Sequence, residues 1–358
     1  MKKLLVLLVV GLLAVTSLTG CAAPKTYKFG TGSFTTVSGK AAVAAAEAVP
    51  ATKTTAEVPA VEAAPGRVQV TSTYAAVLLD DAGKIVYVDI DSTQNQGTFD
   101  AMGAVVKAEA APTKTEKGAD YGMVGNSAIG KEWFEQIAAL ETYLVGKTLE
   151  EVKAIEVDEE FVPTGEDLKA SVSVGIDAYI AAVEKAVANA VEVKGVAKVG
   201  VGSVASVSGK AAVAAAEATA TTAAVEAAPG RIQTNVTFTG VAFDKDGKVL
   251  VALLDVAENQ GTFDAMGAIV KAEAAPTKQE KGADYGMKGN SAIGKEWFEQ
   301  ANALTAYFVG KTADEVAAIE YDAEGVVVAE DLKTSVSVGV EDYLASFAKA
   351  VANAVEVK

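Results

Sequence analysis

Most of the chain is written twice, and that limits the fold more than any other feature. Asn95-Gln-Gly-Thr-Phe-Asp-Ala-Met-Gly103 returns as Asn259 to Gly267. Gly125 to Gln136 returns as Gly289 to Gln300, and Ala186 to Lys194 returns as Ala350 to Lys358. The offset is 164 residues in each case. A period that long exceeds any solenoid or propeller unit, so each copy is expected to fold as a domain. A functional site is then expected twice, and a candidate present in one copy only loses weight.

The first residues read as an export signal. Lys2 and Lys3 precede an apolar run from Leu4 to Val15, and Leu18-Thr-Gly-Cys21 follows. The run is too short to span a bilayer as a stable helix. Its Leu-x-Gly-Cys ending resembles the lipobox of bacterial lipoproteins. That resemblance implies cleavage before Cys21 and a diacylglyceryl thioether on its sulfur. Two acyl chains would anchor the protein firmly. Cys21 is the single cysteine of the chain, which excludes an internal disulfide and a thiolate site elsewhere. The chain is thus read as signal peptide 1–20, lipid-anchored tether 21–26, first repeat 27–194 and second repeat 195–358. The expected location is extracytoplasmic, with the membrane as a partner through Cys21.

Composition narrows the chemistry. Lys and Arg number 31 against 47 Asp and Glu, a formal net charge of −16. Loss of Lys2 and Lys3 with the leader makes it more negative. Such a surface repels nucleic acid, and no nucleic-acid partner is expected. Histidine is absent. Its absence removes Ser-His-Asp and Cys-His catalysis and His-ligated zinc. Carboxylate pairs, oxygen-ligated metals, a Lys or Tyr base, or a bound organic cofactor remain. No hydrolase or metalloenzyme signature is present, so electron carriage on a cofactor is the most active chemistry expected.

Within a copy the pattern is α+β: a small antiparallel sheet packed with about three helices. Lys28 to Val37 reads as a first strand. Val68 to Leu79 and Ile85 to Ile90 flank Asp80-Asp-Ala-Gly83, a hairpin turn whose glycine takes positive φ. Asp244-Lys-Asp-Gly247 repeats it. Ile129, Trp133, Ile137, Leu140 and Leu144 fall at helical spacing, with Gly146 as a stop. Thr148-x-x-Glu151 and Thr312-x-x-Glu315 are capping boxes. A last helix places Ile176, Ile180, Val183 and Val187 on one face, matched by Val340, Leu344, Phe347 and Val351. Ala48 to Ala60 corresponds to a shorter Ala218 to Ala224, which marks a surface loop. Val193 to Lys198 joins the copies without a linker, so the two domains are expected to lie close.

Several site candidates fail. Gly30-Thr-Gly32 and Gly200-Val-Gly202 open strands, not the strand-to-helix turn of a dinucleotide fingerprint. Asp89-Ile-Asp91 hints at a calcium loop, but Leu253 replaces Asp89 in the second copy and no closing glutamate follows. Asp158 to Glu160 reads as a solvated acidic turn. Trp133 and Trp297 read as core anchors, with a ligand-pocket role as the alternative. Tyr121 and Tyr285 sit in Asp-Tyr-Gly-Met loops, where an aromatic suits stacking on a flat ligand. Asp167-Leu-Lys-Ala-Ser-Val-Ser173 and Asp331-Leu-Lys-Thr-Ser-Val-Ser337 precede the last helix of each copy. Hydroxyls there suit capping of free N–H groups, and the same place suits a phosphate.

This order of elements resembles the FMN-binding domain family of bacterial electron-transfer proteins. The resemblance rests on the hairpin turn, the long helix, Val-Gly-Lys-Thr, the hydroxyl-rich tract and the amphipathic helix. The family receives FMN as a phosphoester on the last residue of Asp-x-x-Ser/Thr-Gly-Ala-Thr. Asp167 and Asp331 match its Asp, Thr334 its Ser/Thr, and Ser173 and Ser337 the acceptor. Ala170, Ser171, Val172, Ser335 and Val336 depart from the motif. The resemblance implies FMN as cofactor, and the loop positions of Tyr121 and Tyr285 make them the expected stacking partners of such a flat ligand. It also implies a flavin transferase and a membrane redox donor as partners, and a flavin-based extracellular electron shuttle as the function. A non-catalytic surface ligand-binding or envelope lipoprotein on the same scaffold is the alternative.

Overall fold

The computed structural model describes residues 24–50, 58–219 and 221–357. The expected signal peptide and Cys21 lie outside the described residues. Among those residues, no helix is long and apolar enough to cross a membrane. The first repeat runs β1 (Thr26–Lys40), β2 (Gly66–Leu79), β3 (Ile85–Phe99) and β4 (Val105–Glu109), then α1 (Lys114–Lys117), α2 (Trp133–Leu144), α3 (Leu149–Lys153) and α4 (Asp177–Ala188), and closes with β5 (Val191–Lys194). The second runs β6 (Lys198–Lys210), β7 (Gly230–Phe243), β8 (Val249–Phe263) and β9 (Ile269–Ala272), then α5 (Lys278–Lys281), α6 (Trp297–Phe308), α7 (Ala313–Ala317) and α8 (Glu341–Ala352), and ends in β10 (Val355–Glu356). Each repeat is an antiparallel five-stranded sheet, ordered β4-β3-β2-β1-β5 and β10-β6-β7-β8-β9. The α+β class expected from the sequence is the one observed.

Local chemistry accounts for most of these elements. Asp80 turns the β2–β3 hairpin by accepting from the N–H groups of Ala82 at 3.0 Å and Lys84 at 2.8 Å, and Gly83 takes φ +76°. A second hairpin follows that the apolar pattern of the sequence does not mark. Asp100-Ala-Met-Gly103 is the same kind of turn, with Gly103 at φ +71°, and it extends β3 through the repeated Asn95-Gln-Gly-Thr-Phe segment. Both capping boxes form, at Thr148 and Thr312. The main helix starts at Trp133, not at Ile129. Glu132 stops it there, because its carboxylate accepts from the Met123 and Val124 N–H groups at 2.9 and 3.1 Å. Trp133, Ile137, Leu140 and Leu144 are all buried. The tryptophan is thus a core anchor, and its indole N–H donates to Tyr179 Oη at 2.7 Å.

The last helix corrects the sequence reading. Its buried face is Tyr179, Ala182, Val183 and Ala186, while Ile180 and Val187 are half-buried. Glycines explain the rotation. A Cβ at Gly30 would lie 2.0 Å from the Ala186 carbonyl oxygen, and one at Gly32 would lie 2.4 Å from its nitrogen. The pair therefore lets the backbone of α4 sit directly on β1, with alanines at the contact. Gly200 and Gly202 do the same beneath Ala350 of α8. The Gly-x-Gly signal is packing.

The other faces of the two sheets pack against each other, giving four layers: helices, sheet, sheet, helices. Two apolar clusters each join a sheet to its own helices, and two more lie between the sheets. A two-fold relation between the repeats is written in the contacts. Phe99 stacks on its own repeat counterpart Phe263 with ring centroids 3.8 Å apart, and Tyr74 on its counterpart Phe238 at 5.9 Å. Only an isologous contact brings equivalent residues together. Off the axis the contacts come in pairs. Ala42 N–H donates to the Gly267 carbonyl and Ala212 N–H to the Gly103 carbonyl, both at 2.9 Å. Lys185 pairs with Glu280, and Lys349 with Glu116. The chain is a dimer-like assembly made from one polypeptide.

Candidate functional site

The flavin-like tract comes first. Asp167 and Asp331 are exposed, and each stands beside a tyrosine of the main helix, Tyr143 or Tyr307. Burial chiefly, and then the neighbouring aspartate, raises both phenols. Ser173 and Ser337 are half-buried and tied to the other end of that helix. Ser173 N–H donates to Gln136 Oε1 at 2.8 Å, and its hydroxyl points at the same oxygen from 3.3 Å. Ser337 and Gln300 repeat this at 2.7 and 3.2 Å. Gln136 itself is fully buried and donates to Ser127 Oγ and the Lys131 carbonyl. Seven residues of helix, about 10 Å, separate Gln136 from Tyr143. The aspartate and the serine of the tract therefore serve different ends of α2.

Neither serine caps the last helix. Ile176 and Val340 occupy the cap positions without a side-chain bond, and Asp177, or Glu341 and Asp342, fill the first turns. A phosphate at those helix ends would meet carboxylates. Val172 and Val336, where the flavin family has alanine, are fully buried in the core, and Thr334 is exposed. The residues around Ser173 and Ser337 do not fit an esterified flavin phosphate.

Tyr121 and Tyr285 are half-buried, each with its ring beneath a lysine pair. Lys114 Nζ lies 5.1 Å from the centres of both Tyr121 and Trp133, and Lys117 Nζ lies 5.7 Å from Tyr121. Tyr121 Oη donates to Gln94 Oε1 at 3.2 Å, and Tyr285 Oη to Glu258 Oε2 at 3.2 Å. The cleft beside Tyr121, about 350 Å³, is lined by Gln94, Lys107, Glu109, Lys117 and Asp120 and does not reach the serine tract. The lysines differ between the copies. Lys278 pairs with Glu258 at 3.2 Å, whereas Gln94 stands at the equivalent place beside Lys114. Burial lowers Lys114 to about 8, and Lys278 is raised by Tyr285, Tyr343 and Glu258 against its burial.

A larger cleft, about 510 Å³, opens between the repeats. That volume is ordinary for a small-molecule site. The first repeat contributes Thr31, Gly32, Ser33, Lys185 and Asn189. The second contributes Asp255, Gln279, Asn302 and Thr305, with Val251, Leu253, Ala306 and Val309 as apolar wall. Asp255 Oδ1 accepts from the Val256 and Gln279 N–H groups at 2.7 and 3.0 Å. Burial raises the Asp255 carboxyl to about 6. Ser33 is 3% exposed and its hydroxyl has no hydrogen-bond partner. The Lys185–Glu280 ion pair, 2.6 Å, stands at the mouth. Among the described residues, no cluster of three or more carboxylates is placed to hold a metal ion. This cleft escaped the sequence reading, because its two walls come from different copies and no motif marks either one.

Similarity to known proteins is limited. Part of the chain is similar to a chlorophenol reductase of Desulfitobacterium hafniense, 36% identical over an alignment of 97 residues that covers 23% of this chain and 29% of that protein. The chain thus spans under a third of that relative's length. No protein-family model matches, and no solved structure matches significantly.

Proposed function

We propose that the chain is a cell-envelope lipoprotein that binds a small molecule in the cleft between its repeats. The observation that carries this reading is the cleft itself: a volume of about 510 Å³ walled by both repeats, with the half-buried carboxylate of Asp255 in one wall and polar groups of Thr31, Lys185 and Asn189 in the other. A concave site with an apolar wall and a few fixed polar groups is the common form of a small-molecule site. The anchoring part of the reading rests on Leu18 to Cys21. Replacing Cys21→Ala should move the protein from the membrane fraction to the soluble one. The binding part is tested by native mass spectrometry of the purified protein and by a thermal-shift screen. A bound mass that disappears when Ala306→Phe narrows the cleft supports it. A chain of bare mass that no small molecule stabilises rejects it.

The second reading is a flavin-based electron carrier on the same scaffold. It is supported by the resemblance of the sequence's element order to FMN-binding domains and by the reductase name of the partial relative, while the surroundings of Ser173 and Ser337 weigh against an esterified flavin. FMN would do the redox chemistry while the protein holds it. Co-expression with a flavin transferase separates the two. A yellow protein, heavier by FMN phosphoester and reverting in Ser173→Ala or Ser337→Ala, favours the carrier. A colourless protein of unmodified mass removes the covalent form.

A further inference from the structure

The chemical class of the ligand follows from comparing the cleft with its two-fold counterpart, an inference that rests on the binding reading above. On the counterpart side, Tyr74 and Asp91 are direct cross-strand neighbours, and Tyr74 Oη donates to Asp91 Oδ2 at 3.2 Å. In the cleft the same neighbours are Phe238 and Asp255. Phenylalanine has no hydroxyl to give, so Asp255 lacks the donor that Asp91 has. Ser33 Oγ and its counterpart Ser203 Oγ are both buried without a partner, so the difference between the two sides lies at Phe238 and Asp255. The apolar wall also differs: Val251, Leu253 and Thr305 stand where the counterpart has Tyr87, Asp89 and Glu141. At the mouth, Lys185 and Glu280 neutralise each other. Asp255 therefore sets the sign of charge inside, and the acidic chain as a whole draws cations and repels anions.

We propose that the cleft binds a small organic cation. Its ammonium group pairs with Asp255, and its apolar body lies on Val251, Leu253, Ala306 and Val309. The ammonium supplies the donor that Tyr74 supplies to Asp91 on the other side. A buried carboxylate is stabilised by an opposite charge and destabilised by a like one, so an anion of the same shape is excluded.

The test titrates the full mature chain with probes of one shape and three charges. 2-Phenylethylamine, 2-phenylethanol and phenylacetate share a body, and hexylamine, hexanol and hexanoate repeat the series with an aliphatic one. The amines should bind at least about tenfold tighter than the alcohols, and the acids should not bind. Asp255→Asn should erase the preference for the amines. Phe238→Tyr, which rebuilds the counterpart's internal donor at a position whose twin is already tyrosine, should weaken amine binding at least about fivefold with the circular dichroism unchanged. Amines that bind no tighter than alcohols, or whose binding survives both variants unaltered, overturn the cation assignment. If alcohols or acids then bind and Ala306→Phe abolishes it, the cleft remains a binding site for another class. If no probe binds at all, the cation assignment and the binding reading fall together.

Discussion

The two sides of the repeat interface are built from the same strands and the same helices, yet one is a cleft and the other a knot of polar side chains. On the polar side Tyr74 donates to Asp91, Tyr87 Oη to Asp89 Oδ2 at 3.0 Å, and the Ile90 N–H to Glu141 Oε1 at 2.7 Å. On the cleft side Phe238, Val251, Leu253 and Thr305 take the places of Tyr74, Tyr87, Asp89 and Glu141. Four exchanges, none of which disturbs the strand pairing, turn three neighbouring carboxylates into one carboxylate beside an apolar wall. Duplication supplied two equal interfaces, and side chains alone made them different. The comparison also shows why a filter that discards one-copy features has a limit. It weakened the calcium reading, because Leu253 replaces Asp89, but an asymmetric site is what such a filter cannot find.

The comparison can be broken most forcefully where it should vanish. Phe99 and Phe263 stack on the two-fold axis and are both fully buried. Phe99→Ala and Phe263→Ala should each cost about 3–5 kcal/mol, and by equal amounts, in urea unfolding. Clearly unequal costs would show that the two-fold relation does not hold at the centre of the molecule.

Next in size is the pH response of the polar side. Burial chiefly, and then Asp89, pushes the Glu141 carboxyl up to about 9, and burial raises Asp89 to about 6. The fold accepts these acids protonated. Their contribution is therefore greatest below the ordinary carboxylate range and is lost as the pH rises, through about 6 for Asp89 and towards about 9 for Glu141. Glu141→Gln should stabilise the protein by about 2 kcal/mol or more at a pH of about 9, and by little at a pH of about 4. Thr305→Val on the cleft side should show no such pH dependence. A Glu141→Gln gain that is the same at both pH values would contradict the buried-acid picture.

A smaller effect separates the lysines. Lys114 falls to about 8 mainly through burial, so its charged form burdens the fold at neutral pH. Stability from this group is lost as the pH falls from the unfolded lysine range through about 8. Gln94→Glu copies the carboxylate that holds Lys278 and should add about 1 kcal/mol at neutral pH, with the lysine titrating higher by NMR. No change in the titration of Lys114 would mean that the difference rests on Tyr285 and Tyr343, which raise Lys278 more than Glu258 does.

The smallest effect belongs to the tract shared by both copies. Ser173→Ala and Ser337→Ala should each cost about 0.5 kcal/mol, because the backbone N–H keeps its bond to the glutamine when the hydroxyl goes. Gln136→Ala should cost more, since it strands the Ser173 N–H and the Lys131 carbonyl together. A serine variant costing as much as the glutamine variant would reverse the assigned roles.

Much of the fold was legible because its signals are local. Asp80 and Gly83 close a hairpin wherever they occur, Thr148 and Glu151 cap a helix with their own neighbours, and Trp133, Ile137, Leu140 and Leu144 need only helical spacing to face one way. The second hairpin at Asp100 to Gly103 carried the same kind of turn chemistry and was missed because the Asn-Gln-Gly-Thr run lacks an apolar alternation. The face of α4 was misplaced for a different reason. Ile176 and Val183 are buried as expected, but Ile180 and Val187 are only half-buried, because the glycines of a strand far away in sequence admit Ala182 and Ala186 against the sheet.

Sequence by itself determined the duplication, the α+β class, the absence of histidine chemistry and the expectation of an anchored, acidic protein. Each of these depends on residue identity or on spacing within a few turns of chain. The tertiary structure decided where function is best sought. Ser33 and Asp255 belong to different copies, and nothing in the linear order relates them. They come to lie at one cleft because Gly97 and Gly261 make room for Ile232 and Val68 of the opposite repeat as the sheets pack about a two-fold axis, and Phe238 leaves Asp255 without the donor that Tyr74 gives Asp91.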